Sequence, residues 1–230
     1  MQNQKDEQHG IEHQDENQLQ SMLECARETL KDESNILIAD IYEKNLVVFI
    51  DLIQDKNAYD LADKLAADLE EKGMSSSLYL CNYIGSTADA RLDYVAIGNF
   101  TDAVSKIYLP RAVYTIQEIR FAEECEELIA QGELAVQNYL KILNPLVQND
   151  KEMEKELHRT LAVYLLDAHS NIAETAELMF LHKNTIKYRI RKINELLRLN
   201  VAFMPESYNY YRAMALERLL EKQENKKHRV

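Results

Sequence analysis

From Ile172 to Leu197 the chain reads IAETAELMFLHKNTIKYRIRKINELL, and this stretch decides how the C-terminal region is built. Two helical patterns meet in it. In the first, IAETAELMF, the residues Ile172, Ala176 and Met179 recur at helical spacing and are expected to be buried, and Asn171 stands just ahead as an N-cap. In the second, TIKYRIRKINELL, Ile186, Ile190, Ile193 and Leu197 follow at offsets of four, three and four, which makes a narrow inward stripe. Leu181 to Asn184 reads as the turn between them. Ala176 is small where a helix-turn-helix brings its two helices closest, so the spacing predicts that motif.

The other faces of the second helix are basic. Residues 182 to 198 carry Lys183, Lys187, Arg189, Arg191, Lys192 and Arg198 against one acid, Glu195, a local net charge of +5. Duplex DNA calls for such a patch, because neutralised phosphates release counterions while a helix in the major groove reads base edges. The N-terminal part of the second helix enters the groove, which selects His182, Asn184, Thr185, Lys187, Tyr188 and Arg191 as outward candidates, with Lys183 and Lys192 as phosphate contacts. Thr185 also reads as an N-terminal cap. Arg189 borders the buried stripe and reads equally as a structural ion-pair partner.

A net charge of −12 argues against nucleic acid only if the chain is taken as one object. Residues 1 to 150 hold 12 Lys+Arg and 28 Asp+Glu, a charge of −16, whereas residues 151 to 230 hold 15 and 11, a charge of +4. DNA contact therefore falls to the second part.

Upstream of the motif, Leu157, Leu161, Tyr164 and Leu165 line another helix, which His169-Ser170-Asn171 breaks. The whole of ELHRTLAVYLLDAHSNIAETAELMFLHKNTIKYRIRKINELL (Glu156 to Leu197) resembles the C-terminal helix-turn-helix of PucR/CdaR-type transcription regulators. The resemblance rests on TLAVYL, on Asn171, on TAELMFLHKNT and on YRIRKI, and YNYYRAMALERLL (Tyr208 to Leu220) is similar to the family's closing helix. It implies a sequence-specific regulator whose DNA-reading signature includes His182, Asn184, Thr185, Tyr188 and Arg189. Phe180 replaces the glycine of many generic motifs, where an aromatic suits this family, and Arg198 stands where the family often has glycine.

The region before the motif reads as α+β. Leu19, Met22, Leu23, Ala26 and Leu30 predict a first helix ending near Lys31; NILIADIY (Asn35 to Tyr42) and LVVFIDLI (Leu46 to Ile53) predict a hairpin across Glu43, Lys44 and Asn45. A helix from Ala58 to Lys72 closes at Gly73, SSLYLCNYI (Ser76 to Ile84) predicts a third strand, and two shorter helices fit Ala88 to Ile97 and Thr101 to Tyr108. A strand-like AVYTI (Ala112 to Ile116), a helical stretch interrupted by Gly132, and a helix from Leu134 to Leu143 lead to the polar NDKEMEKE hinge. By resemblance this region takes the place of the degenerate GGDEF-like domain that precedes the helix-turn-helix in many such regulators. No GGDEF sequence stands there, so the resemblance implies a non-catalytic sensing or dimerisation module.

The expected fold class is an α+β N-terminal domain followed by an all-α helix-turn-helix domain. Its parts are a disordered tail (1–18), an α+β domain (19–121), a helical connector (122–150), the helix-turn-helix domain (151–222) and a basic tail (223–230). No catalytic residues are expected: Gly85 and Gly98 stand alone, Asp89 with Asp93 is a solvated helix face, and the run Glu123, Glu124, Glu126 and Glu127 is solvated too. Cys25, Cys81 and Cys125 lack CxxC spacing and read as buried thiols, His9 and His13 have no partnering cluster, and neither a metal nor a cofactor is expected. No signal peptide or spanning segment is read, which places the chain in the cytoplasm, away from membranes. One recognition helix covers few base pairs, so a homodimer on duplex DNA is expected, with room for a small-molecule effector of unspecified chemistry. The competing reading is a protein-interaction adaptor whose basic helix docks an acidic partner.

Overall fold

Helix α1, over residues 17–30, buries Leu23, Cys25, Ala26 and Leu30 along one face. The computed structural model describes residues 17–32, 34–52, 57–81, 84–147 and 152–227. Most of the expected disordered tail, residues 1–16, and the last residues of the expected basic tail, 228–230, lie outside the described residues. Residues 17 and 18 already belong to α1, and residues 223–227 continue the last helix.

Strands β1 (Ser34–Tyr42) and β2 (Asn45–Leu52) pair antiparallel, with Tyr42 opposite Asn45. The connection is therefore the two residues Glu43 and Lys44, and Asn45 joins the second strand. Both turn residues take positive φ, 47° and 64°, the backbone that matches the twist of a two-residue hairpin without an Asn-Gly pair. A bulge between Ile36 and Ile38 shifts the register. Ile36, Leu46, Val48 and Ile50 pack from this hairpin onto Cys25, Ala26 and Leu30 of α1 and Leu61, Leu65 and Leu69 of α2 (Ala58–Glu71). Gly73, at φ 74°, closes α2, with backbone bonds from Gly73 to Glu70 (2.9 Å) and from Met74 to Leu69 (2.9 Å).

The strands expected over Ser76–Ile84 and Ala112–Ile116 shorten to β3 (Leu78–Leu80) and β4 (Val113–Thr115), which pair parallel in a second two-stranded sheet. Among the described residues, three of each find a ladder partner; Ile116 already starts the next helix, and residues 82 and 83 lie outside the described residues.

Two compact units result. Among the described residues, one comprises those up to Gly85 together with Arg111–Ile116, and the other comprises Ser86–Pro110 together with those from Gln117 onward. The first holds the α+β elements.

The second unit is helical. The two short helices expected between Ala88 and Tyr108 are one helix, α3 (Thr87–Ile107), which runs unbroken through Gly98. Ala96, Ala103, Val104 and Ile107 extend a single buried face across the glycine, and that burial outweighs the roughly 1 kcal/mol a mid-helix glycine costs. Then come α4 (Ile116–Ala130), α5 (Glu133–Leu140), a 3₁₀ turn at Lys141–Leu146, and α6 (Glu152–Ala162). The expected helix from Leu134 to Leu143 thus splits: Pro145 sits in the tighter turn, where Leu143 and Leu146 are buried. Of the expected hinge, residues 149–151 lie outside the described residues, while Glu152 to Glu156 are already helical. Glu152 and Glu154 suit a first turn, where the helix dipole favours negative charge.

After α6 a π-helical turn (Val163–Asp167) precedes α7 (Ile172–Leu178), α8 (Lys183–Leu197) and the long α9 (Glu206–Lys227). Asp167, whose side chain is 3% exposed, ties three of these elements together. It accepts hydrogen bonds from both Nη atoms of Arg218 on α9 (3.0 and 2.7 Å) and from the backbone N–H of Leu109, just past α3 (2.8 Å). Tyr108 and Tyr211 share a hydroxyl hydrogen bond of 2.7 Å across the same α3–α9 contact, and burial holds the Tyr108 phenol well above its ordinary range.

Cys25 and Cys125 are buried, as expected, but Cys81 is half-buried, because the strand that was to enclose it ends at Leu80. Burial pushes the Cys125 thiol up to about 12. Among the described residues no His/Cys/Asp/Glu group could hold a metal, and no helix is long and apolar enough to cross a membrane.

Candidate nucleic-acid interface

The site is the α7–turn–α8 unit. Asn171 caps α7 as its sequence position requires: its Oδ1 accepts from the N–H groups of Ala173 (2.8 Å) and Glu174 (3.3 Å). Thr175 and Ala176 are the buried residues of this short helix, whereas Ile172 and Met179, expected to be buried with Ala176, are only half-buried, and Thr175 Oγ1 donates to the Asn171 carbonyl (2.6 Å). The helix ends in a paired closure, Phe180 N–H to the Glu177 carbonyl (3.1 Å) and Leu181 N–H to the Ala176 carbonyl (2.9 Å). Phe180 stands at the left-handed position, φ 55°, where such closures usually have glycine.

The turn differs from the expected Leu181 to Asn184. α8 already begins at Lys183, and its cap is His182, whose Nδ1 accepts from the Asn184 N–H (3.2 Å). Thr185 is therefore not the cap; it lies half-buried in the first turn. Cap preferences name Ser, Thr, Asp and Asn, so an imidazole nitrogen acting as acceptor escapes them.

Along α8 the stripe Ile186, Ile190, Ile193 and Leu197 is buried, and the helix packs on α6 and α7. His182, Lys183, Asn184, Lys187, Tyr188 and Arg191 are exposed. Arg191 lies over the Tyr188 ring, 5.6 Å from its centroid, with its Nε 3.7 Å from Glu195. Lys192 is half-buried and gives a 2.7 Å hydrogen bond to Glu195, an interaction that raises the lysine's pKa and lowers the carboxylate's. Glu195 thus offsets part of the charge at the distal end. The proximal half of the helix, with Lys183 and Lys187 both exposed, is the more open cationic surface.

Arg189 faces inward. At 9% exposure it donates from Nη1 to Thr160 Oγ1 (3.2 Å) and from Nη2 to Glu156, both on α6, while the Thr160 hydroxyl donates to the Glu156 carbonyl (2.6 Å). Of its two sequence readings the geometry takes the ion pair. Its partners do not stand out from sequence, although Glu156 and Thr160 lie four apart and so share a face of α6.

At the far end of α8, Arg198 takes left-handed backbone (φ 57°), and Asn194 fixes the exit by accepting from the Val201 N–H (3.0 Å) on its Oδ1. The departure from glycine at 198 leaves the glycine-like conformation in place.

Residues 157–216 match the family described as the PucR C-terminal helix-turn-helix domain. This segment is a PucR-type helix-turn-helix. The chain is also similar to three Bacillus subtilis (strain 168) proteins. It is 25% identical to the DNA-binding transcriptional activator AdeR over 137 residues, 54% of this chain and 32% of that protein. It is 32% identical to the Purine catabolism regulatory protein over 123 residues, 52% of this chain and 22% of that one. With the proline-responsive transcriptional activator PutR it shares 37% identity over 62 residues, 27% and 15% of the respective lengths. The chain spans about a third or less of these relatives.

Proposed function

We propose that this chain is a sequence-specific DNA-binding transcription regulator of the PucR/CdaR type. The observation that carries the reading is the two-sided α8: an isoleucine and leucine stripe seated in the domain, and His182, Lys183, Asn184, Lys187, Tyr188 and Arg191 turned to solvent at the helix's N-terminal half. In this reading His182, Asn184, Thr185, Lys187, Tyr188 and Arg191 face base edges, and Lys183 and Lys192 face phosphates. The names of the three relatives, each a regulator, support it. Residues 151–222 act as the DNA-binding domain, and residues 19–121, acidic and without a recognisable metal constellation among the described residues, act as a non-catalytic GGDEF-like sensing or dimerisation module, although Ser86–Pro110 and the residues from Gln117 group with the DNA-binding helices in one compact unit. The chain works in the cytoplasm as a homodimer, with any small-molecule effector acting through the α+β region. An adaptor role for the basic helix has no particular observation in its favour.

The test is selection of duplex DNA from a random pool by the full chain, followed by binding of the recovered site with Lys187→Ala and Arg191→Ala. A recovered motif, bound more weakly by both variants, is expected. Failure to enrich any sequence overturns the reading.

A further inference from the structure

The side chain of Phe180 stands almost wholly outside the fold. It is 95% exposed, more than any other large apolar side chain among the described residues, and its backbone holds the left-handed conformation that glycine takes without steric cost. The two hydrogen bonds that close α7 are backbone to backbone and need no side chain at position 180. A strained backbone carrying a fully solvated aromatic ring points to a use outside the folded chain.

The surroundings say what that use is. Phe180 borders a shallow depression with Ala176, Glu177, Leu181, His182 and Lys183. On one side lie the cap and first residue of α8, where the cationic surface begins; on the other lies Glu177, which repels phosphate and so biases a bound strand toward Lys183. A single ring on a wet, charged rim offers little area to the apolar core of a protein interface. The wall of the DNA major groove instead presents small apolar features between charged phosphates, namely the thymine C5-methyl and the face of deoxyribose.

We infer that Phe180 is a specificity-determining DNA contact, its ring held by the turn against the groove wall beside the bases that the first turn of α8 reads. The inference rests on the DNA-binding reading above. Because the contact is apolar, it strengthens binding without neutralising a phosphate.

The experiment uses the full chain and a duplex it selects from a random pool, with Phe180→Gly, Phe180→Asn and Phe180→Leu compared for affinity, salt slope and thermal midpoint. Glycine and asparagine both tolerate the left-handed backbone, and asparagine keeps a Cβ, so the pair separates loss of the ring from added flexibility. Both should fold at least as stably as the natural chain and bind about tenfold more weakly with an unchanged salt slope, and leucine should recover part of the loss. Replacing thymines one at a time by deoxyuridine distinguishes the two features. One thymine whose demethylation weakens the natural chain by about fourfold, but not the glycine variant, assigns the ring to a methyl group. Weakened variants with no thymine response place the ring on deoxyribose, which is the same at every base, and overturn its specificity-determining role. Glycine and asparagine variants that bind the selected duplex like the natural chain overturn the inference alone, and if they also lose transcription with purified polymerase, the ring belongs to a protein contact. A chain that selects no duplex overturns the underlying reading as well.

Discussion

Ile190 and Arg191 are adjacent in the chain and opposite in role, the first buried against the domain and the second turned to solvent. Ile190→Asp puts a carboxylate into an apolar environment at a cost of several kcal/mol, so loss of the cooperative unfolding transition is expected by calorimetry. Lys187→Ala and Arg191→Ala should move stability by less than about 0.5 kcal/mol while weakening DNA binding, whereas Lys183→Ala, which removes a phosphate contact, should also lower the salt slope by about 0.9. A melted Arg191→Ala beside a folded Ile190→Asp would mean that α8 is phased wrongly. Arg189 gives a sharper case: Arg189→Ala removes the partner of the half-exposed Glu156 carboxylate and one of the two hydrogen bonds of the Thr160 hydroxyl, and denaturant titration should show a destabilisation of about 1 kcal/mol. The stripe is legible in the sequence because four apolar residues repeat at the helical period. The direction of Arg189 is not, because its partners lie on another helix and a basic residue beside a stripe reads both ways. His182 escapes as a cap for a related reason, since ring-nitrogen acceptors fall outside the usual cap chemistry.

At the scale of elements, the recognition helix is held by a frame that reaches beyond the motif. Asp167 joins the π-helical turn before α7 to α9 and to the segment after α3, and Arg218 has its second anchor in the Ile107 carbonyl (2.5 Å). Asp167→Ala leaves a mostly buried guanidinium without its carboxylate, and a destabilisation of about 3–5 kcal/mol is expected in urea unfolding. Arg198→Gly should act in the opposite sense, relieving left-handed backbone at the end of α8 by about 1 kcal/mol and raising the thermal midpoint by about 2–4 °C. An unchanged midpoint would show that the αL backbone at 198 is not strained. Helix α3 shows where reading elements from sequence runs out. Gly98-Asn99 reads as a break, yet Ala96, Ala103 and Val104 share one buried face, and burial against partners distant in sequence decides such cases. The strands β3 and β4 are shorter than their sequence patterns for the same reason, since a strand's length is set by where its ladder partner ends.

At the scale of the molecule, the charge split of −16 before residue 151 and +4 after it is readable from composition, and so is the placement of the basic helix in the C-terminal part. The grouping of α3 with the later helices is not, because chain order places it between β3 and β4. A two-fold dimer would set its recognition helices in successive major grooves, so footprints of the full chain should show half-site centres about 10 base pairs apart, or a multiple. A monomeric chain protecting one asymmetric half-site would contradict the dimer while leaving DNA binding intact. The thiols provide a separate check: Cys81 should react with a thiol reagent in the folded chain, while buried Cys125, its pKa pushed up to about 12, should react only on unfolding. The most direct measurement of the central claim is the affinity of the full chain for its selected duplex as a function of salt. Binding through α8 predicts a straight log–log plot with a slope of about −0.9 per phosphate engaged, made shallower by Lys183→Ala. A salt-insensitive affinity, or one that Lys187→Ala and Arg191→Ala leave untouched, would contradict it.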